Sequence, residues 1–102
     1  MADLLEPTAI DAALAELPPW SRQDDEICAS FSAPSFRAAI ELVAAIADQA
    51  EEMNHHPDID IRYTTVTLVL STHSEGGITS ADIELARRID AVASTVGASP
   101  AD

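Results

Sequence analysis

Two adjacent imidazoles, His55 and His56, stand among carboxylates in the stretch "EEMNHHPDIDIRY", residues 51–63, and the chain has only one other histidine, His73. An unperturbed pKa of about 6.5 lets histidine act as acid or base near neutrality, and a neutral imidazole is also a metal ligand. Glu51 and His55 are four residues apart, so on a helix they share a face and can touch. His55 and His56 would point about 100° apart on a regular helix, and a break at Pro57 would turn both toward one pocket. His73 is expected at the end of a strand, with Asp82 nine residues later in the first turn of a helix. If those ends meet, three imidazoles and two carboxylates converge on one rim.

Each of these residues also has a plain structural use. A histidine at a helix C-terminus is favoured by the helix dipole, and Glu51 beside Glu52 suits a solvated helix surface. Asp82 fits the capping carboxylate of the last helix. Gly76-Gly77 reads as a turn that needs positive φ, Asp58 and Asp60 as the wet face of a strand, and Trp20 as core. Three histidines and a carboxylate could hold zinc, but adjacent histidines chelate poorly, and neither H-E-x-x-H nor a cysteine pair is present. Proton transfer asks less of the spacing, since two or three imidazoles in one pocket can supply acid and base together. No activated serine or cysteine stands out, which disfavours covalent catalysis.

The elements that would position these groups can be read from periodicity. "TAID" at residues 8–11 offers a capping box for a first helix, with Ile10, Leu14 and Leu17 on one face and Pro18-Pro19 stopping it. Two short strands follow around a polar turn at Gln23–Asp25, with Ile27, Ala29 and Phe31 alternating against Cys28, Ser30 and Ser32. A long helix runs from about Ser35 toward Asn54, its stripe expected along Phe36, Ile40, Val43, Ala47 and Ala50. Pro57 ends it and pushes His56 out of the α region. Ile59, Ile61 and Tyr63 alternate, then Val66, Leu68 and Leu70, giving antiparallel neighbours joined at Arg62–Thr64. The final helix opens with a Thr79/Asp82 box, closes near Gly97, and carries Leu85, Ile89, Val92 and Val96 inward. The expected fold is therefore α+β, in the order α-β-β-α-β-β-α. It is a four-stranded antiparallel sheet with three helices packed on one face, a single domain over residues 1–102 with its ordered core at about 8–96 and frayed ends at 1–7 and 98–102. Such a sheet leaves a face or an edge to be covered, which favours self-association.

Composition narrows the function classes. The formal charge is −13 and all five cations are arginines, so the surface repels nucleic acid and anionic lipid. No run of about 18 apolar residues is available to span a membrane, and the first residues lack the basic and apolar regions of a signal peptide. Cys28 is the only cysteine, which excludes an internal disulfide and fits a reducing cytoplasm.

Beyond periodicity, a set of gaps is distinctive. Glu51, then His55-His56-Pro57, Tyr63 six residues past the proline, His73 ten later and Asp82 nine after that, together with "THSEGGITSADIELARRID", resembles the signature of the pterin-4a-carbinolamine dehydratases. The similarity extends upstream through Trp20 and the helix led by Phe36, over roughly residues 8–96. Ile59 stands where many relatives carry an aromatic, and Ser74 where aspartate or asparagine is frequent, which affects the pocket wall and the turn rather than the signature.

The resemblance implies the same helix-on-sheet fold and a metal-independent, cofactor-free dehydration of 4a-hydroxytetrahydropterin to quinonoid dihydropterin, a step of pterin recycling. It implies His55, His56 and His73 as active-site imidazoles, with Glu51 and Asp82 as supporting carboxylates. Loss of the 4a-hydroxyl as water needs a proton at that oxygen and removal of one from N5. His55 and His73 are expected to share these roles while His56 holds the pterin; Glu51 would orient His55, and Asp82 would orient His73. The expected partners are a pterin and further copies of the chain, as a homodimer or homotetramer. Two alternatives remain open: a pterin-handling role linked to molybdopterin, and a protein-binding module, since vertebrate relatives bind the dimerisation helix of a transcription factor.

Overall fold

The computed structural model describes residues 3–101. The first helix, α1, spans Pro7–Ala15, with Glu6 at its N-cap making no side-chain bond and Pro7 in the first turn. Thr8 therefore lies inside the helix, and the box expected from "TAID" does not form. Proline's fixed φ already suits the first helical position, so the helix starts one residue earlier. Ile10 and Leu17 are buried and Leu14 half-buried.

Strands β1 (Ser21–Gln23), β2 (Glu26–Ser32), β3 (Asp58–Arg62) and β4 (Thr65–Leu70) form an antiparallel sheet in the order β1-β2-β4-β3. Two left-handed residues close its hairpins, Asp24 at φ 55° and Tyr63 at φ 53°. β2 and β4 bury alternate residues, Ile27, Ala29 and Phe31 against Val66, Leu68 and Leu70, so the helices cover one face only. The sheet gains an unexpected fifth strand. β5 (Ser99–Pro100) pairs with Phe31 and Ser32, occupying the part of the β2 edge that β1 leaves free, and the Ala101 N–H donates to the Ser30 carbonyl at 2.9 Å. At the other end Leu4 bridges Thr79, and the Leu5 N–H donates to the Ile78 carbonyl at 2.9 Å. Over the described residues, then, both stretches expected to fray are hydrogen-bonded into the fold.

Helix α2 spans Phe36–Met53, capped by Ser35, whose hydroxyl accepts from the Ala38 N–H at 3.1 Å. Its buried face is Ala38, Ala39, Leu42, Ile46 and Ala50; of the expected stripe only Ala50 is buried, and Val43 packs half-buried against the core. Phe36 and Ile40 are 52% and 43% exposed, and Ala47 is exposed too. Steps of three and four fit two stripes on a helix this rich in alanine, and the one with small residues turns inward, where a neighbouring helix can approach closely. That neighbour, α3 (Ser80–Thr95), buries Ile83, Leu85, Ala86, Ile89 and Ala93, with Val92 and Val96 half-buried. Arg88 ties the two helices at their surface, donating to Gln49 at 3.2 Å and Glu52 at 2.9 Å. Trp20 is core: its indole N–H donates to Asp90 at 2.8 Å and its ring meets Phe31 edge-on at 6.5 Å.

β3 is an edge strand with all five residues exposed. Ile59 and Ile61 pair with Leu68 and Val66, so they point to the helix side of the sheet but lie beyond the helices' cover, 37% and 36% exposed.

Candidate active site

The helix that delivers the histidine pair ends earlier than Pro57 requires. Asn54 adopts the left-handed conformation, φ 51° and ψ 44°, which asparagine tolerates better than most residues. The Asn54 N–H donates to the Glu51 carbonyl at 3.2 Å and the His55 N–H to the Ala50 carbonyl at 3.0 Å. This is a Schellman closure with Asn54 in the place usually held by glycine. Both histidines thus lie outside the helix, and the shared helical face expected for Glu51 and His55 does not exist.

The pairing of carboxylates with imidazoles changes accordingly. His55 Nε2 lies 2.6 Å from Asp82 Oδ1, and His56 Nε2 lies 2.6 Å from Glu51 Oε2. Asp82 therefore serves His55 rather than His73, and Glu51 serves His56 rather than His55. The cause is the left-handed turn at Asn54, which swings His55 across to the start of α3 and leaves His56 over the last turn of α2.

Asp82 is held by more than the imidazole. It is completely buried at the third position of α3, where its Oδ2 accepts from the Thr79 N–H at 2.9 Å, completing the expected capping box. The Thr72 hydroxyl also donates to Oδ2 at 2.9 Å, and the Thr72 and Thr79 hydroxyls lie 2.7 Å apart. Thr79 is the residue expected in the capping box, whereas Thr72 was not singled out in the sequence. The one legible signal for Thr72 was its place just before the turn, across from the capping Thr79.

His73 lies three residues beyond β4, in a 3₁₀ turn, His73–Glu75. The Thr72 N–H donates to the Gly77 carbonyl at 2.8 Å and closes this loop, with Gly76 at φ 74°. Gly77 is not left-handed; a Cβ there would come within 3.0 Å of the Leu4 side chain, so close packing explains that glycine. The two sides of the turn face different hollows. Met53, Asn54, His55, Thr72, Ser74, Glu75 and Ala81 line a recess of about 390 Å³. His73, with Asp24, Asp25, Glu26, Ser71 and Gly76, lines a neighbouring one of about 290 Å³. The structure thus brings His55, Asp82, Thr72 and Thr79 together in one bonded cluster and His56 with Glu51 in another. His73 joins neither, being exposed on the turn between the recesses. Among the described residues, no three histidine, cysteine, aspartate or glutamate side chains converge closely enough to hold a metal ion.

The His55 cluster can do acid–base chemistry. A half-buried imidazole is anchored on one nitrogen by a carboxylate that is itself fixed, and the ring borders a recess of the size small-molecule sites usually have. Comparison with known proteins places the family. The family model for pterin 4 alpha carbinolamine dehydratase matches residues 3–92. A Nocardia farcinica protein provisionally named as a pterin-4-alpha-carbinolamine dehydratase is 55% identical over 91 residues, 89% of this chain and 96% of that one. A crystal structure of a transcriptional coactivator/pterin dehydratase from Brucella melitensis superposes with a TM-score of 0.86 at 35% identity, covering 89% of this chain and 99% of that one. A pterin dehydratase-like protein identified as a RuBisCO assembly factor in the α-carboxysome gives a TM-score of 0.60 at 25% identity, covering 72% and 86%. With sequence, fold and the conserved-length match in agreement, the chain belongs to the pterin-4-alpha-carbinolamine dehydratase family.

Proposed function

We propose that this protein dehydrates 4a-hydroxytetrahydropterin to quinonoid dihydropterin by histidine acid–base catalysis. The bond from C4a to oxygen breaks, the departing oxygen takes a proton and leaves as water, and N5 gives up a proton. The two transfers balance, so the step consumes no cofactor. The observation that carries this reading is the His55–Asp82 pair, 2.6 Å apart with side chains 14% and 0% exposed, at the wall of a recess of about 390 Å³. In this reading His55 handles one of the two protons and His73, on the turn beside the recess, handles the other. His56, exposed and paired with Glu51, contributes to holding the pterin. Fresh 4a-hydroxytetrahydropterin followed by stopped-flow absorbance tests it: the protein should accelerate loss of the intermediate, and no acceleration over buffer overturns the assignment.

A second copy of the chain is the partner we assign to the exposed apolar surface of Phe36, Ile40, Ile59 and Ile61, as a homodimer or homotetramer in the cytoplasm. Sedimentation equilibrium should find no stable monomer at micromolar concentration. The same surface favours one second reading, a protein-binding role in which catalysis is weak. The names of the Brucella and carboxysome proteins describe coactivation and assembly for those chains. A pterin-handling role beside molybdopterin metabolism would keep the pterin recess without the turnover, and the stopped-flow assay separates it from the leading reading.

A further inference from the structure

The bonds around Asp82 carry a proton count that decides the state of His55. A hydroxyl has one proton to give. The Thr72 hydroxyl gives its own to Asp82 Oδ2 at 2.9 Å, so the 2.7 Å contact between Thr72 and Thr79 must be made with the proton of Thr79. Thr79 Oγ1 in turn accepts from the Ala81 N–H at 3.2 Å, which leaves the direction of the chain consistent from end to end. Reversing it would set the lone pairs of Thr72 against a carboxylate oxygen 2.9 Å away. Oδ2 already accepts the Thr79 N–H as well, so it is filled by two donors. Oδ1 faces His55 Nε2 alone, at 2.6 Å. An ionised carboxylate only accepts hydrogen bonds, and Oδ1 is the acceptor position that its two Oδ2 donors leave to the ring. The ring must therefore give one to it.

We infer that the Thr79–Thr72 hydroxyl chain, through Asp82, locks His55 in the tautomer protonated on Nε2, making Nδ1 the nitrogen that exchanges protons with substrate and Thr72 a positioning residue. This rests on the dehydratase reading for the word substrate, though not for the tautomer. Thr79 and Asp82 are wholly buried, so water does not stand in for either. The main chain that carries the ring is fixed by the His55 backbone N–H, which donates to the Ala50 carbonyl at 3.0 Å. Nδ1 makes no hydrogen bond among the described residues. Whichever proton of the dehydration His55 handles, it passes through Nδ1, while Nε2–H stays with Asp82.

Long-range ¹H–¹⁵N correlation spectra of protein labelled at histidine, taken where the rings are neutral, read the tautomer without substrate; His55→Gln assigns the signals. The wild type should show a protonated Nε2 and a bare Nδ1. Thr72→Val, which keeps the shape and removes the hydroxyl, should give a tautomer mixture and lower kcat about tenfold, the usual scale of one lost hydrogen bond to a charged group, with KM within about twofold. Thr72→Ser should restore both. A bare Nε2 in the wild type overturns the proposal whatever the variants do. An unchanged tautomer in Thr72→Val, or a Thr72→Ser that behaves like it, removes Thr72 from the role. If the wild type shows no dehydratase activity yet has the expected tautomer, the catalytic reading falls and the hydroxyl chain stands.

Discussion

Two imidazole–carboxylate pairs one residue apart in sequence have the same 2.6 Å separation and opposite surroundings. The side chains of His55 and Asp82 are 14% and 0% exposed, those of His56 and Glu51 56% and 75%. Distance alone would rank them equal. The buried pair, however, has a carboxylate with two further anchors, the Thr72 hydroxyl and the Thr79 N–H at the helix start. The exposed pair is screened by water and salt, and among the described residues its side chains have no other hydrogen bond. Pairs of that kind are worth little, about 0–1 kcal/mol, while removing one partner of a buried pair costs about 3–5 kcal/mol. The chain thus offers one anchored imidazole and one exposed one side by side, the difference on which the proposed division of roles rests.

The largest effect should come from the anchored ring. His55→Ala should lower kcat by about 10²–10⁴, the usual span for a general acid or base, measured by stopped-flow on the 4a-hydroxypterin; a loss below tenfold would level the two pairs. Asp82→Ala should follow, lowering unfolding stability by about 3 kcal/mol in a urea titration, since it strips the α3 cap and leaves buried donors unpaired. On the exposed side, His56→Ala should raise KM several-fold and leave kcat nearly unchanged, while Glu51→Gln should alter stability by less than about 0.5 kcal/mol. If Glu51→Gln proved as damaging as Asp82→Ala, burial would not be what separates the pairs.

The smallest effect tests burial without an imidazole. Asp90 is partly buried, and desolvation raises its carboxyl pKa above the ordinary value of 3.8, against the opposing hydrogen bond from Trp20. A raised folded-state pKa means the folded protein binds its proton more tightly than the unfolded chain does. Its contribution to stability is therefore full below pH 3.8 and is lost as the pH rises through the raised value. Asp90→Asn keeps an oxygen for Trp20 and removes the ionisation. It should raise the Tm slightly at neutral pH and not below the ordinary carboxylate range; an equal shift at both would point to packing instead.

The sequence showed clearly those features that depend on local pattern. Alternation in Ile27–Phe31 and Val66–Leu70 marked the two central strands, and the Thr79/Asp82 spacing marked the cap of α3. Features that depend on a choice between equivalent local options were not legible. α2 carries two apolar stripes, and which turns inward is decided by the fit of alanines against α3 rather than by periodicity. β5 is two residues long and exists because β2 has an unfilled edge. The partners of the histidines were misread because a single left-handed residue, Asn54, redirects the chain, and asparagine only permits that conformation without demanding it. The family signature named the candidate site residues, yet linear gaps say nothing about which carboxylate meets which ring.

The contact between Leu4 and Gly77 has a practical side. Leu4 bridges Thr79 and packs where a Cβ on Gly77 would sit 3.0 Å away, so Leu4 and Leu5 brace the loop that carries His73 and the cap that fixes Asp82. A purification tag or a protease that disturbs this stretch acts on the corner around Asp82 and His73 from outside it, and recombinant versions trimmed there should be compared with untrimmed ones before any change is blamed on a histidine.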